Sequence, residues 1–144
     1  MKKFLNILVF ILLWIWQLPQ NLVGLIILLL NKPKKRYSKV IDGIKVYFVE
    51  FGVNKAGVSL GNFILLYKAE DTNNEICKIT VHHEHGHQIQ SRYFGFLYLI
   101  LVGIPSLYNF IYAKKYNKDD KWYYNRYPEK WADKLGGANR WKRI

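Results

Sequence analysis

Two long apolar segments limit what this 144-residue chain can fold into. The first runs from Phe4 to Leu30, is almost wholly apolar, and is broken by the stretch Gln17–Asn21, which contains a proline. The second, Phe96 to Ala113, carries no charge and has Gly103 and Pro105 near its middle. Mean hydropathy is nevertheless close to zero, so strongly charged segments must alternate with the apolar ones. This block composition favours a membrane-associated protein with a small exposed domain over a soluble globule.

The formal net charge is +12, and many of the cations stand at the ends of the apolar segments. Nucleic acid, anionic lipid headgroups and acidic substrates would all suit such a charge. Lys2 and Lys3 precede the first segment and the basic run Lys32–Arg36 follows it, while Lys114 and Lys115 follow the second. This placement is typical of contact with headgroups, and a nucleic-acid-binding protein has no use for the apolar segments. We therefore expect an anionic lipid bilayer, and no nucleic acid, as a partner.

Residues 1–31 are predicted to be a membrane anchor and residues 32–144 a separate domain. A single helix from Phe4 to Leu30 would be about 40 Å long, more than the roughly 30 Å core of a bilayer. Two helices joined at Pro19 would form a hairpin, and the basic residues at both ends favour this arrangement. A signal peptide is disfavoured, because the run is too long and no small-x-small cleavage site follows it. The expected location is the cell membrane, with the domain facing the cytoplasm.

The middle of the chain has strand character. Ile44–Phe51 and Val58–Tyr67 are rich in β-branched and aromatic residues, and Gly52–Gly57 can supply a turn between them. The lone cysteine, Cys77, rules out an intrachain disulfide and is expected to be a small buried residue. Together with the helices predicted below, these strands indicate an α+β fold that is mainly helical and has a small β-hairpin or sheet.

Two helices are predicted on either side of the second apolar segment. The first runs from about Asn74 to Tyr93, with Thr72 or Asn73 as its N-cap, and Gly95 ends it. The second is short, with Pro128 in its first turn and two glycines, Gly136 and Gly137, at its end.

The first of these helices carries the pattern HExxH as His83-Glu84-x-x-His87. Residues four apart lie on one face of a helix, so both imidazoles can bind one metal ion. Glu84 would lie beside a metal-bound water and accept its proton. All four histidines of the chain fall within six residues. His82 and His85 lie away from the metal-facing pair and are expected to support it or to face solvent.

A catalytic zinc site needs a third protein ligand besides the two histidines. The metzincin arrangement is excluded, because Gln90 and Tyr93 occupy the positions where it requires glycine and histidine. Glu129 and Asp133, four apart on the short helix, offer another solution. Glu129 would complete the zinc site and Asp133 would orient a ligand histidine. The alternative is that both are surface carboxylates that pair with neighbouring lysines.

HExxH followed by a helix with ExxxD resembles the gluzincin metallopeptidases, particularly their membrane-embedded branch of prenyl-protein endopeptidases and heat-shock membrane proteases. The resemblance covers only the two motifs. It implies His83, His87 and Glu129 as zinc ligands, Glu84 as the catalytic base and Asp133 as the residue that orients a ligand, within a zincin-like domain. The chain is far shorter than those enzymes. Site-2 proteases are less similar, because their aspartate-glycine motif is absent after His87.

If Glu129 joins the two histidines, the segment Phe96–Ala113 between them cannot cross a membrane once. It must dip into the membrane and return, or be buried in the domain.

Val58–Leu66 is a candidate edge strand that could hold an extended peptide by backbone pairing. One tyrosine-rich stretch could supply a hydrogen-bond donor to the oxyanion of the transition state. Its candidates are Tyr123, Tyr124, Arg126 and Tyr127.

The sequence thus predicts a membrane-associated zinc metallopeptidase that acts on peptides or membrane proteins. A non-catalytic membrane protein that binds or senses metal is the alternative. Glu84 separates the two hypotheses, because a protein that only binds metal has no need of an acid in that position.

Overall fold

In the computed structural model, residues 2–31, 37–50, 57–67 and 75–140 are described, and they form six α-helices and a mixed four-stranded sheet. The helices are α1 (Lys2–Trp16), α2 (Leu18–Leu30), α3 (Glu75–Phe94), α4 (Ile104–Lys115), α5 (Asp120–Tyr124) and α6 (Glu129–Gly136). The strands are β1 (Tyr37–Ile41), β2 (Ile44–Val49), β3 (Gly57–Leu60) and β4 (Phe63–Tyr67). A 3₁₀ turn, Gly95–Leu97, and a π-helical turn, Leu99–Gly103, connect α3 to α4. The predicted α+β class is confirmed.

The sheet has the order β1-β2-β4-β3, with β2 and β4 parallel and the two outer pairs antiparallel. Both regions predicted as strands, 44–51 and 58–67, thus contribute to a small sheet, and the alternative in which they form a single hairpin is wrong. Residues 58–67 contain two strands of their own, because Gly61 adopts φ +62° and allows a tight turn at Gly61-Asn62. Residues 51–56, most of the predicted turn, lie outside the described residues, as do the predicted N-caps Thr72 and Asn73.

Both faces of β4 are covered, which explains why this strand is apolar on both sides. One face packs on α3, where Cys77 and Val81 join a buried cluster with residues of β1, β2 and β4. The burial of Cys77 confirms the prediction for it. The other face packs on α2 through Leu28. The sheet thus fixes α3, which carries the histidines, on one side and the N-terminal helices on the other.

Polar residues at the break between α1 and α2 are buried against the end of α3. Gln17, Gln20 and Asn21 have no exposed surface. The amide of Gln20 donates to Ser91 Oγ at 2.9 Å and to the carbonyl of Gly95 at 2.9 Å. Ser91 in turn donates to the amide oxygen of Gln17 at 2.7 Å. The interruption in the first apolar segment is therefore an internal docking point of the fold.

The helices α1 and α2 meet at an angle of 89°. Among the described residues, no single helix has both the length and the apolar character needed to cross a membrane, and only this bent pair meets that test of length and composition. Every residue of α1 is at least partly exposed. The second apolar segment is divided among the two turns and α4 rather than forming one helix. The insertion of either segment into a membrane stays a prediction.

The helices α3 and α6 approach each other more closely than a side chain would allow. A Cβ at Gly86 of α3 would lie 1.9 Å from the carbonyl oxygen of Ala132. A Cβ at Gly136 of α6 would lie 1.8 Å from the carbonyl oxygen of His82. In both cases the obstacle is backbone, which cannot move aside as a flexible side chain can. Glycine at these two positions allows α6 to lie directly against the HExxH turn of α3.

This contact predicts that Gly86→Ala pushes α6 away from α3 and destabilises the fold by about 1–3 kcal/mol. Gly103→Ala is the matched control, because the nearest atom to a Cβ there is a leucine methyl at 3.6 Å. Alanine is a better helix former than glycine, so the control is expected to be neutral or slightly stabilising. Chemical denaturation of both variants measures the difference. Equal free energies of unfolding would contradict the close-contact argument.

Candidate metal centre

The two motif histidines lie on the face of α3 that meets the first turn of α6. The predicted helix is confirmed to within one residue at each end, so His83 and His87 stand one turn apart. They are 4% and 5% exposed. Glu129, the first residue of α6, is completely buried and points at them. Because Glu129 is buried, the alternative in which it pairs with lysines at the surface is wrong.

Three potential ligand atoms converge at this point. The Nε2 atoms of His83 and His87 lie 3.1 Å and 3.0 Å from the same carboxylate oxygen of Glu129. The ligand atoms of the three residues all lie within 4.8 Å of one another. The structure therefore brings together the three residues predicted as ligands, and this buried triad could hold a metal ion.

The second nitrogen of each imidazole is held by a hydrogen bond. Nδ1 of His83 lies 2.6 Å from a carboxylate oxygen of Asp133, which places Asp133 where the sequence predicted it. Nδ1 of His87 lies 2.7 Å from the amide oxygen of Gln90, whose nitrogen donates to the carbonyl of Pro128 at 3.1 Å. Because both partners accept through oxygen, each Nδ1 carries a proton, and each Nε2 is the nitrogen left to bind either a metal ion or a second proton.

Gln90 is a functional residue that the sequence reasoning missed, since it was considered only as a departure from the metzincin pattern. It lies three residues after His87 on the same helix, a spacing at which side chains meet. That spacing is the signal that could have identified it. Its contact with Pro128, directly before Glu129, could not have been found from spacing.

The donor set fits a divalent cation. Two lone pairs and a carboxylate oxygen that face one another at about 3 Å repel unless a positive charge neutralises them. The other oxygen of Glu129, Oε1, is buried and has no hydrogen-bond partner among the described residues. Two imidazoles and a carboxylate form a set that zinc accepts, as do other transition metals.

Protons take the place of the cation when no metal is bound. Burial lowers the pKa of His83, but hydrogen bonds to Asp133 and Glu129 outweigh it and raise this pKa to about 9. Burial would raise the pKa of Glu129, but the bonds with the two imidazoles hold it well below its usual range. The metal-free site is thus an ion pair between imidazolium and carboxylate.

Glu84 lies beside the triad, in the angle between α3 and β3. It is 5% exposed, and a Cβ at Gly57 would lie 2.7 Å from its carboxylate oxygen Oε1. Glycine at position 57 thus makes room for this carboxylate. Burial raises the pKa of Glu84, while the nearby His83 and His87 lower it less strongly. A carboxylate with a raised pKa is a better proton acceptor than one in water.

A cleft of about 950 Å³ opens over these residues. His83, Glu84, His87 and Glu129 line it together with β3, the π-helical turn and α4. The predicted edge strand is only partly correct, because β3 is the edge of the sheet while β4 lies inside it.

Two of the four residues that the sequence offers as oxyanion donors line the cleft. Tyr123 and Tyr124 line the cleft, whereas Arg126 and Tyr127 do not. Arg126 stacks on Trp122, and the Tyr127 hydroxyl donates to the carbonyl of Leu101 at 2.7 Å. The ring of Tyr124 packs against the ring of His83, with their centroids 5.2 Å apart. Burial raises the pKa of Tyr124 to about 12, so its hydroxyl keeps the proton that a donor needs.

The two remaining histidines and one arginine make hydrogen bonds around the triad. His82 contacts the carbonyl of Gly136 at 3.0 Å and Asp42 at 3.2 Å, and His85 contacts Gln88 at 3.1 Å. Neither histidine belongs to the triad, as predicted. Arg140, which the sequence reasoning missed, donates to both oxygens of Asp133 at 3.1 and 3.0 Å.

These protonation states predict how zinc affinity depends on pH. The ion needs the unprotonated Nε2 of His83, so binding displaces a proton at any pH below about 9. From about pH 7 upwards the affinity should rise about tenfold per pH unit and then level off near the pKa of His83. Titration calorimetry in two buffers of different ionisation enthalpy counts the protons released. An affinity that does not change over this range would refute the ion pair.

Zinc affinity is expected to rise with pH, whereas the stability of the metal-free protein is expected to fall as the pH rises above neutral. Protonated His83 stabilises the fold fully below its unfolded pKa of about 6.5, and this contribution is lost as the pH rises through about 9. Glu129 stabilises the fold above the ordinary carboxyl pKa and loses this effect in acid. Metal-free protein should therefore become less stable from neutral to alkaline pH, and zinc should remove this loss.

Comparisons with known proteins found no match for this chain. No family model matches the chain, and neither a curated protein nor a solved structure matches it. A function can therefore be inferred only from the geometry of the cleft and from the chemistry of the residues that line it.

Proposed function

We propose that this chain is a membrane-associated zinc metallopeptidase of the gluzincin type. The observation that carries the proposal is Glu84, a buried carboxylate in the wall of the cleft, directly next to the first ligand histidine. A protein that only stores or senses metal gains nothing from burying an additional acid there. A hydrolase needs that acid to accept a proton from the attacking water.

His83, His87 and Glu129 would hold the zinc ion, and Asp133 and Gln90 would keep the imidazoles in the required tautomer. Bound zinc would supply Lewis acidity, which lowers the pKa of water and polarises a peptide carbonyl. Glu84 would take the proton from the water and pass it to the leaving amine. Tyr124, which lines the cleft beside His83, would donate a hydrogen bond to the developing oxyanion.

The outer edge of β3, with which no strand of the described residues pairs, supports a peptide as the substrate. Backbone groups on an unpaired edge can bind an extended chain. Gly57 of this strand touches Glu84, so a peptide paired with it would lie beside the catalytic base. The apolar side chains of α4 and of the π-helical turn form the opposite wall of the cleft.

Replacement of the base gives the direct test. Glu84→Gln should retain stoichiometric zinc but lower the rate of peptide hydrolysis by about a hundredfold or more. Glu75→Gln, the same substitution at an exposed position of α3, is the control and should leave both unchanged. Zinc content is measured by atomic emission, and hydrolysis by mass spectrometry of β-casein digests. Zinc without hydrolysis in the wild-type protein would favour the metal-binding alternative, and a protein without zinc would refute the proposal.

Membrane association is supported by the surface of α1. After Lys2 and Lys3 at its start, this helix is apolar except for Asn6, and Phe4 is 73% exposed. A helix with this character is stable when lipid covers it. Trp16 at its end contacts Phe96, which is also exposed, so the apolar surface continues from α1 onto the second apolar segment. We propose that this surface enters the headgroup and acyl region of a bilayer.

Charges placed on α1 should abolish this binding. Leu8→Asp with Ile11→Asp is expected to lower the vesicle-bound fraction at least tenfold, because each charge would have to enter an apolar medium. Val40→Asp, on an exposed residue of β1, is the control. Flotation with phosphatidylcholine vesicles that contain about a quarter phosphatidylglycerol measures the bound fraction. Unchanged flotation of the double variant would contradict the assignment, and retained zinc would show that the variant is folded.

A further inference from the structure

Within the part of the chain that the structure describes, no strand pairs with the outer edge of β3, and this edge offers two places at which a peptide can pair. The hairpin closes at the pair Leu60 and Phe63 through a two-residue turn, so these residues exchange hydrogen bonds. Hydrogen-bonded pairs alternate with non-bonded pairs along an antiparallel ladder. Ser59 and Gly57 are therefore the residues whose backbone groups point away from β4, towards the open edge. The two positions lie about 7 Å apart.

One of these two places is already occupied. The hydroxyl of Tyr98 donates to the carbonyl oxygen of Ser59 at 3.0 Å. Tyr98 is 4% exposed and lines the cleft together with β3. Gly95, with φ +51°, ends α3 and starts the turn that brings Tyr98 to this edge. The side chain thus stands where the second hydrogen bond of an extended peptide would form.

The other place remains available beside the catalytic base. Gly57 contacts Glu84, so its backbone is the part of the edge nearest the reacting groups. Beyond Ser59 the strand ends after one further residue at the Gly61-Asn62 turn. The backbone of that turn is also bound, since the N–H of Asn62 donates to Asn21 Oδ1 at 2.8 Å. A chain that pairs with β3 in this direction would therefore meet Tyr98 first and then the turn.

We propose that Tyr98 determines the length of substrate that this edge recognises: of the two outward-facing positions described on β3, it closes Ser59 and leaves Gly57 for pairing. This inference rests on the proposed peptidase function. The substrate is then a polypeptide gripped over a short stretch next to the scissile bond. Residues further along on the Tyr98 side contribute no backbone pairing to binding.

The test uses the full chain, loaded with zinc, in the Glu84→Gln form, so that binding is measured without hydrolysis. The probes are fluorescein-labelled peptides of one β-casein sequence, lengthened one residue at a time at either end, and the readout is fluorescence anisotropy. Affinity should stop rising early when the peptide grows at one end. With Tyr98→Ala added, which removes the ring as well as the hydroxyl, the freed carbonyl of Ser59 should give a further gain of about three- to tenfold at that end only, and retained zinc would show that this variant is folded.

Tyr127→Ala is the matched control, because it also removes a tyrosine whose hydroxyl donates to a backbone carbonyl, but outside the cleft. It should leave the length dependence of the wild-type chain unchanged. The inference is overturned if affinity keeps rising at both ends without the Tyr98 substitution, or if Tyr98→Ala behaves like the control. It is also overturned if no peptide binds. Length-limited binding by a chain whose wild-type form hydrolyses nothing would support this inference while refuting the proposed function.

Discussion

The carboxylate of Glu129, buried between two imidazoles, is the interaction on which the rest of the structure depends. A fully buried carboxylate costs several kcal/mol unless positive charge and hydrogen bonds offset it. Here His83 and His87 provide both when protonated, and a metal ion can replace the protons. Glu129 reaches them only because Gly86 and Gly136 let α6 lie directly on α3. The two backbones must therefore stay in contact if the charge is to remain compensated.

The side chains that orient the ligands also join the helices that carry them. Gln90 contacts His87 with one end of its amide and the backbone of Pro128 with the other. Asp133 links α6 to His83, and Arg140 holds Asp133 through both carboxylate oxygens. Any displacement of α6 thus changes the tautomer control of both histidines together with the position of Glu129. Metal affinity and the stability of the helix pair are expected to be coupled.

The sequence predicted those parts of the site that follow from spacing within one helix. His83 and His87 on α3, and Glu129 with Asp133 on α6, are four-residue pairs whose shared face needs no tertiary information. Arg140 could not be predicted in the same way, because its contact depends on how the chain turns after α6. The parallel pairing of β2 with β4 was missed for a related reason. β3 lies between these two strands in the sequence, and β4 runs parallel to β2 only because the chain turns back at Gly61.

The polar break in the first apolar segment shows what a sequence pattern leaves open. Polar residues within an apolar helix can face water at a bilayer surface or find partners inside the protein. The partner of Gln20 is Ser91, 71 residues away, and no local pattern reveals it. This contact and the hydrogen bond from Trp16 to the carbonyl of Arg92 fix the end of α1 against the end of α3. If α1 lies in a bilayer, these contacts set the distance of the metal-binding turn of α3 from the membrane surface. The first apolar segment would then act as a positioning device for the cleft as well as an anchor.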